Sequence, residues 1–281
     1  MWVYLALVSA LFLGFYDIFK KKSLSKNSVM WVLFSVSVLS TLMLAPFFRG
    51  GEARDFLLLV PKGFLVTLSW ISGLIAMKNL PLTTTSTIKA SRPVFVLIFS
   101  IILFAERLSV WQWCGVILTL VALWMLSRSS RKEGIYFTRN IYILWMWLSV
   151  ASGAASALYD KYVIAQLEPV FVQCWSNLYI TILMGIILLV KQLRDGSKRE
   201  RFRWDWMLPA TAAVIVIADA FYFFALKDGE AMLSITSLIR RCSVIITFAG
   251  SAIIFKENHI REKAIDLAVL LAGIVVLVLA S

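Results

Sequence analysis

The sequence predicts an all-α membrane protein of ten transmembrane helices, arranged as two inverted five-helix repeats. Three observations lead there. The chain is 60% hydrophobic with a mean hydropathy of +0.85, whereas about half of a soluble domain is apolar. Its apolar residues come in long runs rather than alternating stripes, and a helix needs about 20 of them to cross the bilayer core. At that length, with short connectors, 281 residues hold about ten spans and leave no room for a soluble catalytic domain. The third observation is that the two halves echo each other in motif and order.

The first-half spans fall at 2–19, 29–48, 57–77, 83–104 and 110–127, and the second-half spans at 141–159, 170–190, 206–226, 231–254 and 264–280. The opening run has no basic stretch before it and no small-residue cleavage pattern, so it reads as a retained helix. Residues 1–127 form the first repeat, 128–140 a polar connector and 141–281 the second repeat. The longest loop, 191–205, is strongly basic.

Four matches tie the halves together. Gly14-Phe15-Tyr16-Asp17 answers Ala157-Leu158-Tyr159-Asp160, and Ala76-Met77-Lys78-Asn79 answers Ala225-Leu226-Lys227-Asp228. Ser86-Thr87-Ile88-Lys89 answers Ser237-Leu238-Ile239-Arg240, and the same step then leads to Glu106 and to Glu257. Five spans per copy is an odd number, so the second copy lies upside down relative to the first. Inverted repeats let a central site open to either side by rocking.

The formal net charge is +12. Most of it lies in connectors between apolar runs, where Lys and Arg set orientation and touch anionic headgroups, so the partner it implies is the lipid bilayer and not nucleic acid. Cys114, Cys174 and Cys242 lie in apolar runs without metal-ligand spacing, and His259 is the sole histidine. No metal, cofactor or histidine-based catalytic site is expected.

The chain resembles the EamA-like members of the drug/metabolite transporter superfamily. The 5+5 repeat carries the resemblance, together with the Phe104-Ala105-Glu106-Arg107-Leu108 ending of helix 4 and its copy Phe255-Lys256-Glu257. It implies a multi-pass carrier, placed here in a bacterial inner membrane as a monomer or homodimer. In place of a small-residue pair with Trp, the first helix reads Leu13-Gly14-Phe15-Tyr16-Asp17.

Ionisable groups inside the spans point to the site, since each costs about 2.5–3.5 kcal/mol at the bilayer centre. Lys89 and Arg92 lie in span 4, and Arg240 and Arg241 in span 9. At about 1.5 Å per residue, Arg92, Arg240 and Arg241 sit roughly 14 Å inside their span starts. Asp219 in span 8 is the best internal partner and the candidate for charge compensation or coupling. Asp17 and Asp160 read as structural acids at helix ends, paired locally with Lys20 to Lys22 and with Lys161. Glu106 and Glu257 read as structural acids closing helices 4 and 9.

This excess of positive charge favours an anionic small-molecule substrate, because guanidinium forks match phosphate or carboxylate oxygens. Phosphate translocators of the same superfamily hold phosphate with a Lys on helix 4 and a basic pair on helix 9. That resemblance implies Lys89, Arg240 and Arg241 at the phosphate, with Arg92 as an alternative to Lys89. Thr85 shares a face with Lys89 and Ser237 with Arg241, Pro93 loosens the backbone after Arg92, and Tyr222 and Trp70 are candidate lining residues.

The leading function is therefore secondary transport of a small organic anion, phosphate-bearing, as in a sugar phosphate, a nucleotide sugar or a lipid-linked headgroup, driven by a gradient or a counter-substrate. Export of amino acids or amphipathic metabolites is a second reading. A membrane enzyme acting on lipid phosphate is a third, of another class; it needs a base or nucleophile with a partner, which one loop histidine and scattered acids do not supply.

Lys and Arg concentrate in the odd-numbered loops, which places those loops in the cytoplasm and both termini outside. Members of the superfamily usually keep both termini inside. The charge rule predicts that reporters active only outside the membrane will work when fused to either terminus, and activity of cytoplasmic reporters there would reverse the orientation.

Overall fold

In a computed structural model of the chain, the described residues are 2–92, 94–95, 99, 110–131, 136–137, 139–195, 202–227, 236, 239–240, 242–255 and 260–279. Every regular element among them is helical. We number the α-helices α1 (Trp2–Ser23), α2 (Val29–Leu44), α3 (Ala53–Asn79), α4 (Leu82–Ala90), α5 (Val110–Arg131), α6 (Ile141–Ile164), α7 (Pro169–Asp195), α8 (Met207–Lys227), α9 (Ser243–Ile254) and α10 (Ile260–Leu279). A 3₁₀ turn, Ala45–Phe47, prolongs α2. Six helices (α1, α2 with its turn, α3, α6, α7 and α8) are long and apolar enough to cross a membrane, and α9 and the Trp113–Leu126 stretch of α5 are shorter apolar helices. Large apolar side chains such as Leu7, Phe64, Leu120, Leu144 and Leu189 face outward, as a lipid-facing surface requires.

Several helices outrun the spans that hydropathy delimits, because their polar ends are still helical. α1 continues to Ser23 with Lys20, Lys21 and Lys22 in its last turn, where cations meet the negative end of the helix dipole. Lys21 donates to the carbonyls of Met77 and Leu80 and so closes the end of α3. α3 opens on a reciprocal Glu52/Asp55 capping box. At the start of α6 the Asn140 side chain accepts the Tyr142 N–H at 2.9 Å. α7 begins on Pro169, at a position whose N–H would have no helical partner anyway.

The helix pairing has the symmetry of the repeat. α1 packs chiefly on α8 and α6 on α3, which is the same pair with the halves exchanged. α2 packs on α7, α4 on α9 and α5 on α10, each on its own counterpart. α2 and α7 run antiparallel: the Cys174 thiol approaches the Leu44 carbonyl, Thr41 bonds Thr181 at 2.9 Å, and Phe34 lies against Gly185. Small residues let paired backbones approach. Ser69 and Ser149 each donate to the other's carbonyl, at 2.8 and 2.7 Å, and so bind α3 to α6.

Helix 4 departs from the uninterrupted 83–104 span expected above. α4 ends at Ala90 and the chain turns at Ser91, with tight bonds from Ser91 N–H to Ile88 O at 3.1 Å and from Val94 N–H to Ser91 O at 3.0 Å. The counterpart in helix 9 is the same, with Cys242 N–H on Ile239 O and Ile245 N–H on Cys242 O, both at 3.0 Å. Proline follows the first break at position 93 but none follows the second, where Val244 stands. Proline is therefore not the shared cause of the two interruptions.

α5 and α10 touch backbone to backbone at Gly273, where a Cβ would stand 2.9 Å from Thr119 N and 3.1 Å from Gly115 O. Gly273→Ala will push the two helices apart and lower stability by about 1–3 kcal/mol, read as a fall in the melting temperature of the purified protein. An unchanged melting temperature would contradict the close approach.

Candidate functional site

The interruptions in helices 4 and 9 border a polar cavity of about 150 Å³ in the middle of the bundle. It is built from α1, α3, α4, α6, α7 and α8 together with Arg240. Its cations are Lys20, Lys62, Lys89, Arg92 and Arg240, and its lining acids are Asp160 and Asp219.

Three ion pairs shape it. The Lys89 ammonium donates to both oxygens of Asp17, at 2.7 and 2.9 Å, and ties α4 to α1. Lys62 pairs with Asp160 and joins α3 to α6, its ammonium 4.6 Å from the centre of the Phe223 ring. Arg240 pairs with Asp219, and its guanidinium lies 3.9 Å from the centre of the Tyr222 ring, a geometry that adds cation–π attraction.

The local pairing of Asp17 and Asp160 expected from sequence is not what forms. Both acids turn inward to cations on other helices, because each is almost fully buried and a buried carboxylate must find a cation or strong donors. Lys20, just past the 2–19 span, and Lys62, inside the 57–77 span, are likewise buried inside α1 and α3, at 5% and 3% exposure. Lys263, assigned to a loop, is wholly buried in α10 and donates to the Thr83 hydroxyl at 3.0 Å. The excess of basic residues in odd-numbered connectors survives these corrections.

Arg92 is held differently. Its guanidinium lies directly on Gly153 of α6, where any side chain would occupy the same space. It has no ion pair among the described residues, and its Nε–H is buried without an acceptor. Asp17, Asp160, Tyr222 and Arg240 are within Coulombic reach of it.

Of the residues singled out from sequence, Lys89, Arg92, Arg240, Asp160, Asp219, Tyr222 and Trp70 line this one cavity. Thr85 does not, since its hydroxyl donates to Pro81 O and Leu82 O within its own helix. Pro93, Glu106, Ser237, Arg241, Glu257 and His259 lie outside the described residues. Lys20 and Lys62 are the cavity cations that sequence reading missed. Lys62 fell inside the 57–77 span, and Lys20 stands one helical turn after Tyr16. Among the described residues no group of three or more His, Cys, Asp or Glu could hold a metal ion.

The Asp17–Lys89 pair makes a direct prediction. Asp17→Asn removes the carboxylate from a buried ion pair and will destabilise by about 3–5 kcal/mol, while the double substitution with Lys89→Met will recover most of that loss. A double-mutant cycle on thermal stability checks it, and simple additivity would contradict it.

A sequence model of the EamA-like transporter family matches residues 1–128 and 140–279. A solved crystal structure, titled only as that of a protein, superposes with a TM-score of 0.63 over 95% of this chain and 96% of that chain at 15% identity, which supports the fold alone. No match was found among curated protein sequences.

Proposed function

Because the chain belongs to the EamA-like transporter family, a family of multi-pass membrane carriers, we propose that it moves a small organic anion, phosphate-bearing by preference, by alternating access. The observation that carries this reading is Arg92. A guanidinium facing a central cavity, with no ion pair and no Nε–H acceptor among the described residues, is a costly arrangement that an anionic ligand relieves.

The architecture supports the transport step. α2 and α7 are counterparts, and their antiparallel course fits halves inverted about an axis in the membrane plane, with ten crossings in all. Interrupted helices at equivalent places in the two halves, flanking a central cavity, are the arrangement in which one half rocks against the other. Lys89 and Arg240 are already neutralised by Asp17 and Asp219. In this reading they set the field and exchange partners as substrate enters, while Arg92 makes the first charge contact. Asp219 is the coupling candidate, because releasing Arg240 to a ligand leaves its carboxylate to take a proton. Arg241 and Ser237 remain proposed ligands beside Arg240.

The volume narrows the substrate class. A cavity of about 150 Å³ is below the range of about 300–1,000 Å³ typical of drug-sized sites and matches one that holds benzene. A compact phosphate ester suits it better than a nucleotide sugar.

Uptake into proteoliposomes from a panel of phosphorylated and carboxylated solutes tests the assignment. Arg92→Gln and Arg240→Ala will lower uptake of the transported anion at least about tenfold, the loss of one charge-assisted bond, while both proteins elute as folded species. Wild-type uptake by both variants would refute the anion site. Asp219→Asn will alter the pH dependence of uptake, and an unaltered profile would remove it from coupling.

A further inference from the structure

Lys20 lines the cavity but belongs to none of the three ion pairs that shape it. It lies 5% exposed, one turn after Tyr16 on α1, and its ammonium faces the cavity. It donates to the Tyr16 hydroxyl at 2.9 Å and sits 4.6 Å from the centre of the Tyr16 ring and 5.3 Å from that of Trp70. An ammonium has three donors, and one hydroxyl leaves the others without an ionic partner. The carboxylate within Coulombic reach, Asp17, has both oxygens on Lys89, and Lys89 repels Lys20. The two aromatic faces soften the burial but do not neutralise the charge.

Charge balance then decides the ligand. The described cavity brings five cations together with three carboxylates, Asp17, Asp160 and Asp219. The three acids are matched to Lys89, Lys62 and Arg240, and among the described residues the remaining cations are Arg92 and Lys20. A single negative charge on the solute compensates one of them and leaves the other buried.

We propose that Lys20 is a second anion-binding residue of this cavity and that, with Arg92, it makes the site selective for compact solutes carrying two negative charges. Phosphate monoesters and dicarboxylates share that chemistry. The proposal rests on the preceding reading that the cavity takes an anion, and adds a residue and a charge number to it. Tyr16 and Trp70 hold the Lys20 side chain against one wall, so that its free N–H groups point at the solute.

Equilibrium binding to the purified full chain, followed by uptake into proteoliposomes, separates the outcomes. The probes are glycerol phosphate, succinate and lactate at neutral pH, where a phosphate monoester carries about −1.5 to −2 charges. Wild-type protein will bind a dianion at least about tenfold more tightly than lactate, the effect of one added charge-assisted contact. Lys20→Met will lower dianion affinity at least about tenfold and will cost the dianions several times more than it costs lactate, and Lys20→Arg will restore the preference. Preference for glycerol phosphate over succinate identifies the phosphate source, and the reverse order identifies the dicarboxylate. Equal losses for lactate and the dianions in Lys20→Met would mean a structural lysine and overturn the proposal. So would a wild-type preference below about twofold, a measurement that needs no variant to fold. In both cases anion binding itself survives, so the preceding reading would stand. Binding of no anion at all would overturn both.

Discussion

A charge inside a bilayer must meet an opposite charge, a strong donor or acceptor, or water, and the interior of this molecule is organised around that requirement. Asp17, Asp160 and Asp219 each hold a cation from a different helix, and these pairs join α1 to α4, α6 to α3 and α8 to Arg240. Pairs of this kind contribute little net stability over an apolar core, but breaking one leaves an uncompensated charge. They therefore place charged groups at the centre of the bundle, while the outer faces remain apolar.

The backbone follows the repeat more faithfully than the charges do. Ser91 and Cys242 interrupt helices 4 and 9 with the same tightened bonds, and helix pairs recur with the halves exchanged. The ion pairs do not recur. Asp17 and Asp160 are counterparts, as are Lys89 and Arg240, yet only the first acid pairs with its own half's basic residue; Asp160 takes Lys62 and Arg240 takes Asp219. The contacts of the first helix of each half differ too. α1 closes tightly on α9, where Gly14 meets Ile246 and Ile18 meets Gly250, while between α4 and α6 the Arg92 guanidinium fills the space over Gly153.

Sequence alone determined the all-helical membrane class, the two-part organisation and most of the cavity charges. These were legible because an apolar run tolerates few ionisable groups, so Lys89, Arg92, Asp219 and Arg240 stood out against their surroundings. It also placed Trp70 and Tyr222 among the lining candidates. Lys20 was misread because hydropathy trims a span at its charged end, although the helix continues through it. Only the tertiary structure decided which charge meets which, since partner choice depends on the rotation and crossing of helices far apart in sequence. That geometry turned Asp17 and Asp160 inward, directed Thr85 back to its own helix, and left Arg92 and Lys20 facing the cavity without a carboxylate.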